Sequence, residues 1–360
     1  MKETNKSSRR TFLGKITAGT IALTVTPGWA QNSFPSVFDI TAIQPKSTAA
    51  MKNDEKKFVP VMITPFHSNS KIDFDGLSRL IDFYMAADVK GFFANCLSSE
   101  MYNLDNEERL ALVSHVVKRV KGAVPVVATG SFGNSIEERA EFTKKMYNTG
   151  VNAVILITSH FANADEDDAI LIKNLEKFFS LTDAIPLGTY ECPSPYKRII
   201  TPEVFRYLLS TNRLGYHKDT TIDLDKIKVK LEMSNSSSLE FYDAHTPNAM
   251  YSLQAGAKGI SCLAGNFYPE IFAWLCTNVN NLNRQKDVNW LQSELTRVDS
   301  IISDNYPLSS KYFLHKRGVP INIISRTTNA SLTSTQIKTL DETYKVLLGW
   351  HERLGIKVAH

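Results

Sequence analysis

Lys218 and Tyr190 are the two residues whose types and spacing favour a specific chemistry. Lys218 closes the short segment Gly215–Lys218, and Tyr190 lies near the end of Pro186–Glu191, one repeat earlier. A buried lysine loses solvation of its charge, so its pKa falls and the neutral amine can attack a ketone to form an imine. Bond cleavage beside that imine needs a proton carrier, which a positioned phenol can supply. Spacing alone leaves a second interpretation open, in which Lys218 is a surface lysine and Tyr190 a core aromatic residue.

The elements that must position these two residues alternate along the chain. Short β-rich runs alternate with amphipathic helical segments, some of which begin with a capping residue such as Ser135 or Thr201. This order is typical of a parallel sheet built from βα units. The predicted strands are Val59–Thr64, Gly91–Ala94, Val124–Thr129, Ala153–Thr158, Pro186–Glu191, Gly215–Lys218, Leu239–Asp243 and Gly259–Leu263. Eight strands favour an α/β fold of the (β/α)₈ TIM-barrel type, with an open doubly wound sheet as the alternative.

The pattern changes near residue 283, where only helices are predicted. They cover Val288–Ser303, Leu308–Lys316 and Ser334–Gly349. We therefore divide the ordered part of the chain into a TIM barrel over 58–282 and a C-terminal helical region over 283–360. Residues 31–57 lack a sustained period and are interpreted as a linker or N-terminal arm.

The N-terminal segment 1–30 has the features of a twin-arginine export signal. Arg9 and Arg10 are followed by the apolar stretch Ile16–Val25 and by Gly28-Trp29-Ala30, which offers small residues for cleavage. We expect a periplasmic protein, the alternative being an ordinary basic N-terminus. No later run of about 18 apolar residues predicts a membrane anchor.

Charge and cysteine spacing exclude other classes of function. The segment 1–30 carries five basic side chains and one acidic side chain, a net +4 that equals the net charge of the whole chain. The remainder is therefore near neutral, and nothing indicates binding to nucleic acid. The four cysteines lack CxxC spacing, which disfavours a metal site and favours free thiols over a disulfide.

Five collinear segments carry a resemblance to a known family. They are Phe58–Phe66, Cys96–Arg109, Tyr190–Pro193, Gly215–Asp219 and Ala255–Ser261. In order and spacing they resemble the dihydrodipicolinate synthase / N-acetylneuraminate lyase family, over about residues 58–280. The resemblance implies a class I, Schiff-base lyase or aldolase that acts on pyruvate or another 2-oxo acid. It also implies that no cofactor is needed beyond the covalent imine, and that the protein is a homo-oligomer, a dimer or tetramer.

The resemblance assigns roles to five residues. Lys218 matches the imine-forming lysine and Tyr190 the catalytic tyrosine. Ser98 and Ser99 stand in the turn that holds the carboxylate of the keto acid, where hydroxyl and backbone N–H groups are suitable donors. Ile260 matches a position that packs near the bound pyruvyl group.

Four positions depart from the pattern of the family's synthases. Leu97 replaces a threonine that relays protons to the catalytic tyrosine, although it still lies where substrate would bind. Pro195 replaces the arginine that binds the carboxylate of aspartate semialdehyde. His160 and Phe161 replace a pair of tyrosines. These changes disfavour a role in lysine biosynthesis.

Other polar residues near the predicted strand ends are further candidates. His160 is a candidate proton carrier, and Asp243 and His245 are candidates for binding a hydroxyl group of a sugar acid. Glu191 and His217 are neighbours of Tyr190 and Lys218 in their strands. Because strand side chains alternate between faces, we expect Glu191 and His217 to face the helices.

Three functions remain open from the sequence. The first is a lyase or aldolase, or a dehydratase, for a pyruvate-derived 2-oxo acid, such as a 2-keto-3-deoxy sugar acid or a sialic-acid-like compound. The second is 4-hydroxy-tetrahydrodipicolinate synthase, which condenses pyruvate with aspartate semialdehyde. The third belongs to another class, a protein that binds a keto or sugar acid without turnover.

Overall fold

A computed structural model describes residues 55–358. The export signal predicted at 1–30 and most of the linker predicted at 31–57 lie outside the described residues.

Eight parallel strands form one sheet in which each strand is followed by a helix. The strands are β1 (Lys57–Phe58), β2 (Phe92–Phe93), β3 (Val126–Thr129), β4 (Ala153–Ile157), β5 (Leu187–Tyr190), β6 (Leu214–Asp219), β7 (Glu240–Asp243) and β8 (Gly259–Ile260). Their order is β1-β8-β7-β6-β5-β4-β3-β2, and a parallel bridge between Val61 and Phe93 joins the two outer strands. The ring is therefore closed, which confirms the TIM barrel over the open doubly wound sheet.

The first strand is shorter than its apolar run predicts. The sequence indicates a strand over Val59–Thr64, whereas β1 covers only Lys57–Phe58. Pro60 has no backbone N–H to donate. The N–H groups on either side of it bond to different neighbours, that of Val59 to β8 and that of Met62 to β2, each at 3.0 Å. The segment crosses from one strand to the other instead of forming a long ladder with either.

Eight helices surround the barrel. They are α1 (Phe74–Ala86), α2 (Asn106–Val120), α3 (Ile136–Tyr147), α4 (Asp168–Thr182), α5 (Pro202–Ser210), α6 (Leu224–Ser234), α7 (Ala249–Gln254) and α8 (Pro269–Asn278). The predicted caps are present: Ser135 accepts a hydrogen bond from the N–H of Glu138 at 3.1 Å, and Thr201 accepts one from Val204 at 3.3 Å. Such caps satisfy N–H groups that have no partner in the first turn, so local sequence fixes where these helices begin.

Three further helices form the C-terminal region and pack against the barrel. They are α9 (Gln285–Ser303), α10 (Leu308–Lys316) and α11 (Ser334–Leu354). A buried carboxylate, Glu270 of α8, contacts Arg317 after α10 and His351 of α11, the latter at 2.6 Å. The Tyr268 and Trp350 rings meet edge to face with centroids 5.4 Å apart. The C-terminal region is thus anchored to the last helix of the barrel.

Aromatic side chains fill the barrel interior beneath the strand ends. The Tyr216 ring stacks on Tyr242 with centroids 4.5 Å apart, and Phe93 contacts the edges of Tyr216 and Tyr190 at 6.0 and 5.6 Å. These rings form a packed layer directly beneath the residues at the strand ends.

All four cysteines are buried free thiols, as predicted. Within residues 55–358, no helix combines the length and apolarity that crossing a bilayer would require.

Candidate active site

A cavity of about 380 Å³ opens at the carboxyl ends of the strands. Its walls are Val61, Leu97, Ser98, Glu100, Tyr190, Pro193, Lys218, Thr220, Ile222, Ala244, His245, Ser261, Leu263, Tyr306, Pro307 and Thr327. Two other cavities, each of about 540 Å³, lie at the opposite end of the barrel beside residues that precede β1. In (β/α)₈ enzymes chemistry takes place at the carboxyl ends, so the smaller cavity is the candidate active site.

Lys218 and Tyr190 face each other in this cavity, as the sequence predicts. They are direct cross-strand partners in β6 and β5, and Lys218 Nζ lies 4.4 Å from the centroid of the Tyr190 ring. Their exposed fractions are 5% and 4%. The interpretation of Lys218 as a surface lysine is therefore wrong.

Burial lowers the pKa of Lys218, while the nearby thiols of Cys96, Cys192 and Cys262 act weakly in the opposite direction. Within residues 55–358, no carboxylate lies within ion-pair distance of its ammonium group. Another buried lysine, Lys311, contacts a carboxylate at 2.7 Å. An amine that is desolvated without a counter-ion is driven toward the neutral form, which is the nucleophile that an imine requires.

Burial also raises the pKa of Tyr190 well above its ordinary value, and interactions with Cys192, Cys96 and Tyr102 add to this effect. The phenol therefore holds its proton at neutral pH. It can donate a hydrogen bond beside Lys218 and pass the proton on only when another group replaces it.

The turn after β2 brings two of the predicted binding residues to the cavity. Leu97 and Ser98 line its wall, and the Tyr306 phenol lines it as well. Ser99 is fully buried, and its hydroxyl donates to the carbonyl of Met62 at 2.6 Å. Ser98 thus presents a hydroxyl to the cavity, while the Ser99 hydroxyl holds the turn in place.

Glu100 ends this turn in a left-handed conformation, with φ 60° and ψ 34°. Its carboxylate accepts hydrogen bonds from Lys311 Nζ at 2.7 Å, the Ser325 hydroxyl at 2.8 Å and the Arg326 N–H at 2.6 Å. These bonds fasten the segment before α11 beside the barrel mouth, where the neighbouring Thr327 lines the cavity. Sequence reasoning missed this wall because its contacts join positions that lie far apart along the chain.

Three other predicted residues lie outside the cavity lining. Ile260 is fully buried, and its successor Ser261 reaches the cavity instead. Asp243 accepts a hydrogen bond from the His245 N–H at 2.8 Å and interacts with Ser252 of α7. Because side chains alternate along a strand, Ile260 and Asp243 point toward the helices. Their binding roles stay predictions that the geometry does not support.

His160 is the third of these residues, and it lies between Tyr102 and Ser131, which follows β3. Its Nε2 is 3.1 Å from the Tyr102 hydroxyl, and its Nδ1 is 2.6 Å from the Ser131 carbonyl. It does not reach the cavity itself.

A buried charge cluster lies directly behind the Lys218–Tyr190 pair. Lys230 Nζ of α6 is 2.6 Å from a carboxylate oxygen of Glu191 and 2.6 Å from one of Asp219. His217 Nε2 is 3.5 Å from Asp219, and its ring contacts Phe205 of α5. The prediction that Glu191 and His217 face the helices is confirmed.

The ligand atoms of Glu191, His217 and Asp219 all lie within 4.8 Å of one another, a spacing compatible with a metal ion. Lys230 already supplies the cation between the two acids. Glu191 also accepts the N–H groups of Ile200 and Thr220, each at 2.9 Å. The cluster therefore ties the segments that follow β5 and β6 to α6, and it fixes the ends of the two strands that carry Tyr190 and Lys218.

The model of the dihydrodipicolinate synthetase family matches residues 54–347. The chain belongs to this family. Its relatives include the 4-hydroxy-tetrahydrodipicolinate synthase of Marinobacter nauticus, 25% identical over 263 residues, which are 72% of this chain and 84% of that protein. A protein of the same name from Shewanella baltica is 28% identical over 261 residues, covering 72% of this chain and 87% of that one.

Solved structures of family members share the fold. One is YagE, a prophage protein from E. coli K12 in complex with pyruvate, with a TM-score of 0.73 and 19% identity over 81% of this chain and 98% of that one. Another is dihydrodipicolinate synthase from Aquifex aeolicus, with a TM-score of 0.71 and 19% identity over 81% and 98% of the two chains.

Membership makes the protein a class I pyruvate lyase or aldolase. Family enzymes form a Schiff base on a lysine and need no cofactor. Lys218 has the position, the burial and the lowered pKa for that role.

Proposed function

We propose that this protein cleaves or dehydrates a 2-oxo acid through an imine on Lys218, and that the half of the substrate beyond the pyruvyl unit is neutral and hydroxylated. A 2-keto-3-deoxy sugar acid or a sialic-acid-like compound fits this description. The observation that carries the proposal is the desolvated Lys218 amine against the Tyr190 phenol, with no counter-ion for the amine among residues 55–358.

The polar groups in the cavity wall support a neutral second half. Beyond the reacting pair they are mainly hydroxyls and an imidazole, including those of Thr220, His245, Ser261 and Thr327. Such groups hydrogen bond to hydroxyls but do not neutralise a carboxylate. Because the synthases' arginine is replaced by Pro195, a second carboxylate would have no guanidinium partner there.

A nearby arginine does not take over that role. Arg198 donates to Asp168 at 3.0 Å and to the carbonyls of Asn163 and Glu166, each at 3.0 Å. Its guanidinium is thus held by the first residue of α4 and by the loop before that helix.

The reaction follows from these groups. The Lys218 amine attacks the C2 carbonyl, and loss of water leaves an imine conjugated to the carboxylate that Ser98 and the turn around it hold. In cleavage, the imine nitrogen is protonated and the Tyr190 oxygen takes the C4 hydroxyl proton as the phenol releases its own proton to solvent in the open cavity. The C3–C4 bond breaks to leave an aldehyde, and its electrons form a neutral enamine on Lys218. Protonation at C3 and hydrolysis release pyruvate and restore the amine.

A second candidate is the synthase, which the names of the relatives favour. Leu97 and Pro195 disfavour it, because they remove a relay hydroxyl and a carboxylate-binding guanidinium. A coupled assay with pyruvate and aspartate semialdehyde separates the two candidates. Turnover of that pair above turnover of any sugar acid would replace our proposal with the synthase.

Borohydride trapping tests the imine. Incubation with pyruvate and sodium borohydride should add one reduced pyruvyl group to the Lys218 peptide and none to the peptides of Lys230 and Lys311, whose ammonium groups contact carboxylates. Lys218→Ala should abolish the adduct. A folded wild-type protein without an adduct would refute the proposal, and an adduct without turnover of any 2-oxo acid would indicate a protein that only binds.

We also propose a periplasmic location and a homo-oligomer, on the basis of Arg9, Arg10 and the family. Fractionation of cells that express the full chain, with an Arg9→Lys/Arg10→Lys variant as the control, tests the first proposal. Light scattering of the purified protein tests the second, and a monomeric mass would reject it.

A further inference from the structure

We propose that the Tyr306 phenol binds the substrate carboxylate, as a second hydroxyl donor beside Ser98. Tyr306 belongs to the C-terminal helical region and lies in the short connection between α9 and α10. It lines the cavity together with Ser98, Tyr190 and Lys218. The inference deepens the proposed function and rests on it, because it names a further residue that holds the same 2-oxo acid.

The walls of the cavity offer few cations to a carboxylate. As far as residues 55–358 form these walls, they contain no arginine, and Lys218 is their only lysine. Because Lys218 reacts with the C2 carbonyl, it does not remain a cationic partner for the carboxylate. The residue before Ser98 is Leu97, whose side chain cannot donate a hydrogen bond. The negative charge is therefore left mainly to uncharged O–H and N–H donors.

The Tyr306 oxygen is held by a fully buried amide, that of Asn266, in the short helical turn after β8. Asn266 Nδ2 lies 2.9 Å from the Val61 carbonyl and 2.7 Å from the Tyr306 hydroxyl. A carbonyl can only accept, so the contact with Val61 fixes which side of the amide carries the nitrogen. The amide oxygen accepts a hydrogen bond from the Tyr84 hydroxyl. Asn266 is therefore the donor in its bond to Tyr306.

This bond decides where the Tyr306 proton can go. A phenol whose oxygen accepts from an N–H group keeps its own O–H for another acceptor. Within residues 55–358, Asn266 is the only group hydrogen bonded to the Tyr306 oxygen. Burial raises the pKa of Tyr306 above its ordinary value, so the proton stays on the oxygen at neutral pH. Tyr306 therefore has one O–H to offer to a ligand in the cavity.

One backbone segment holds both hydroxyl donors. The Ser99 hydroxyl donates to the Met62 carbonyl at 2.6 Å, which fixes the turn that carries Ser98. The carbonyl of the preceding residue, Val61, accepts from the amide that holds Tyr306. The two donors are thus fastened to adjacent residues, on the same side of the cavity. A carboxylate has two oxygens, so one can accept from Ser98 while the other accepts from Tyr306.

Pyruvate tests the contact, because it carries the carboxylate and the ketone without the rest of the substrate. Borohydride trapping on Lys218 at increasing pyruvate concentrations gives the half-saturating concentration. Tyr306→Phe removes one oxygen and keeps the ring, so this concentration should rise roughly 10- to 100-fold, the contribution of one hydrogen bond to a charged group. Tyr312→Phe is the matched control and should equal wild type, because the Tyr312 hydroxyl donates to Asp341 at 2.7 Å, outside the cavity lining.

Methyl pyruvate distinguishes a contact with the carboxylate from a contact elsewhere. The ester keeps the ketone but lacks the negative charge, so Tyr306→Phe should raise its half-saturating concentration by only a few-fold. An equal rise for pyruvate and for its methyl ester would show that Tyr306 shapes the cavity without holding the charge, which would overturn the inference. Thermal unfolding followed by circular dichroism confirms that the variants compared are folded.

Lactate separates failure of this inference from failure of the proposed function. It has a carboxylate like that of pyruvate but no ketone, so it cannot form an imine. Lactate should stabilise wild type against thermal unfolding, and Tyr306→Phe should need roughly 10- to 100-fold more lactate for the same shift.

The combined outcomes are distinct. If wild type forms no pyruvate adduct while the lactate difference persists, the proposed function falls and the carboxylate contact stands. If the adduct forms but wild type and Tyr306→Phe respond equally to pyruvate and to lactate, the imine stands and the contact is refuted. No adduct together with equal lactate responses would refute both.

Discussion

Replacing Lys230 by methionine tests whether the charge cluster behind the active site holds the barrel together. Methionine keeps most of the length of the stem but removes the only lysine that contacts both Glu191 and Asp219, each at 2.6 Å, in the part of the chain that the structure describes. Both acids are fully buried. Neither carboxylate can regain water, so two like charges face each other without a cation between them.

The expected loss is large. Removing one partner from a buried ion pair costs about 3–5 kcal/mol. For about 300 ordered residues the entropy of unfolding is about 0.6 kcal/mol/K, so the melting temperature should fall by about 5–8 °C. Calorimetry at neutral pH measures this shift directly.

Lys228→Met is the matched control, because it makes the same change on the same helix. Lys228 is half exposed and pairs with Asp225, itself almost fully exposed, at 3.2 Å. Such pairs contribute about 0.2–1 kcal/mol, so the melting temperature should move by no more than about 2 °C. Equal shifts for Lys230→Met and Lys228→Met would refute the reasoning.

The pH dependence adds a second check on the same variant. Burial raises the pKa of Asp219, but His217 and Lys230 outweigh that effect and lower the pKa to about 2, below the ordinary 3.8. An acid with a lowered folded pKa contributes stability above its unfolded pKa and loses it as the pH falls through the folded value. The difference between wild type and Lys230→Met should therefore shrink between about pH 4 and pH 2.

Three further predictions concern single positions. Burial raises the pKa of Asp243 to about 7, with smaller opposing effects from His245 and Ser252. The folded state therefore loses stability as the pH rises from about 4 to 7. Asp243→Asn should raise the melting temperature at pH 8 and leave it unchanged at pH 3.5, and equal effects at both pH values would contradict this. Ser98→Ala should raise the KM for the 2-oxo acid substrate by roughly 10- to 100-fold, since one hydrogen bond to a charged group contributes about 1.5–3 kcal/mol, with little change in kcat; an unchanged KM in steady-state cleavage assays would exclude the contact. Because burial lowers the pKa of Lys218, pyruvate trapping should persist well below pH 10, and a rate that rises only near pH 10 would show an ordinary amine.

The reacting pair was predictable because it depends on short-range features. A strand of known register puts alternate residues on one face, so identifying the strands that end near Lys218 and Tyr190 is enough to bring both side chains to the barrel mouth. The same alternation predicted that Glu191 and His217 face the helices. Capping residues such as Ser135 fixed where helices begin for an equally local reason.

The alternation of side chains between the two faces of a strand gave a wrong prediction where the sequence did not show which face points into the barrel. Ile260 and Asp243 were placed at the site, yet in β8 the residue that reaches the cavity is Ser261, and Asp243 points toward α7. A shift of one residue moves a side chain to the other face, and an apolar run buried on both faces does not show which face is inside.

The sequence by itself therefore predicted the barrel and the pairing of Lys218 with Tyr190 at its mouth, and it places Leu97 and Pro195 where the synthases have a threonine and an arginine. Only the tertiary structure decided what surrounds that pair. Glu100 meets Lys311 and Ser325 from a distant part of the chain, and Tyr102 meets His160 and the Ser194 carbonyl, which lie on separate loops. Such contacts follow from how whole elements pack, which no local pattern of residues records.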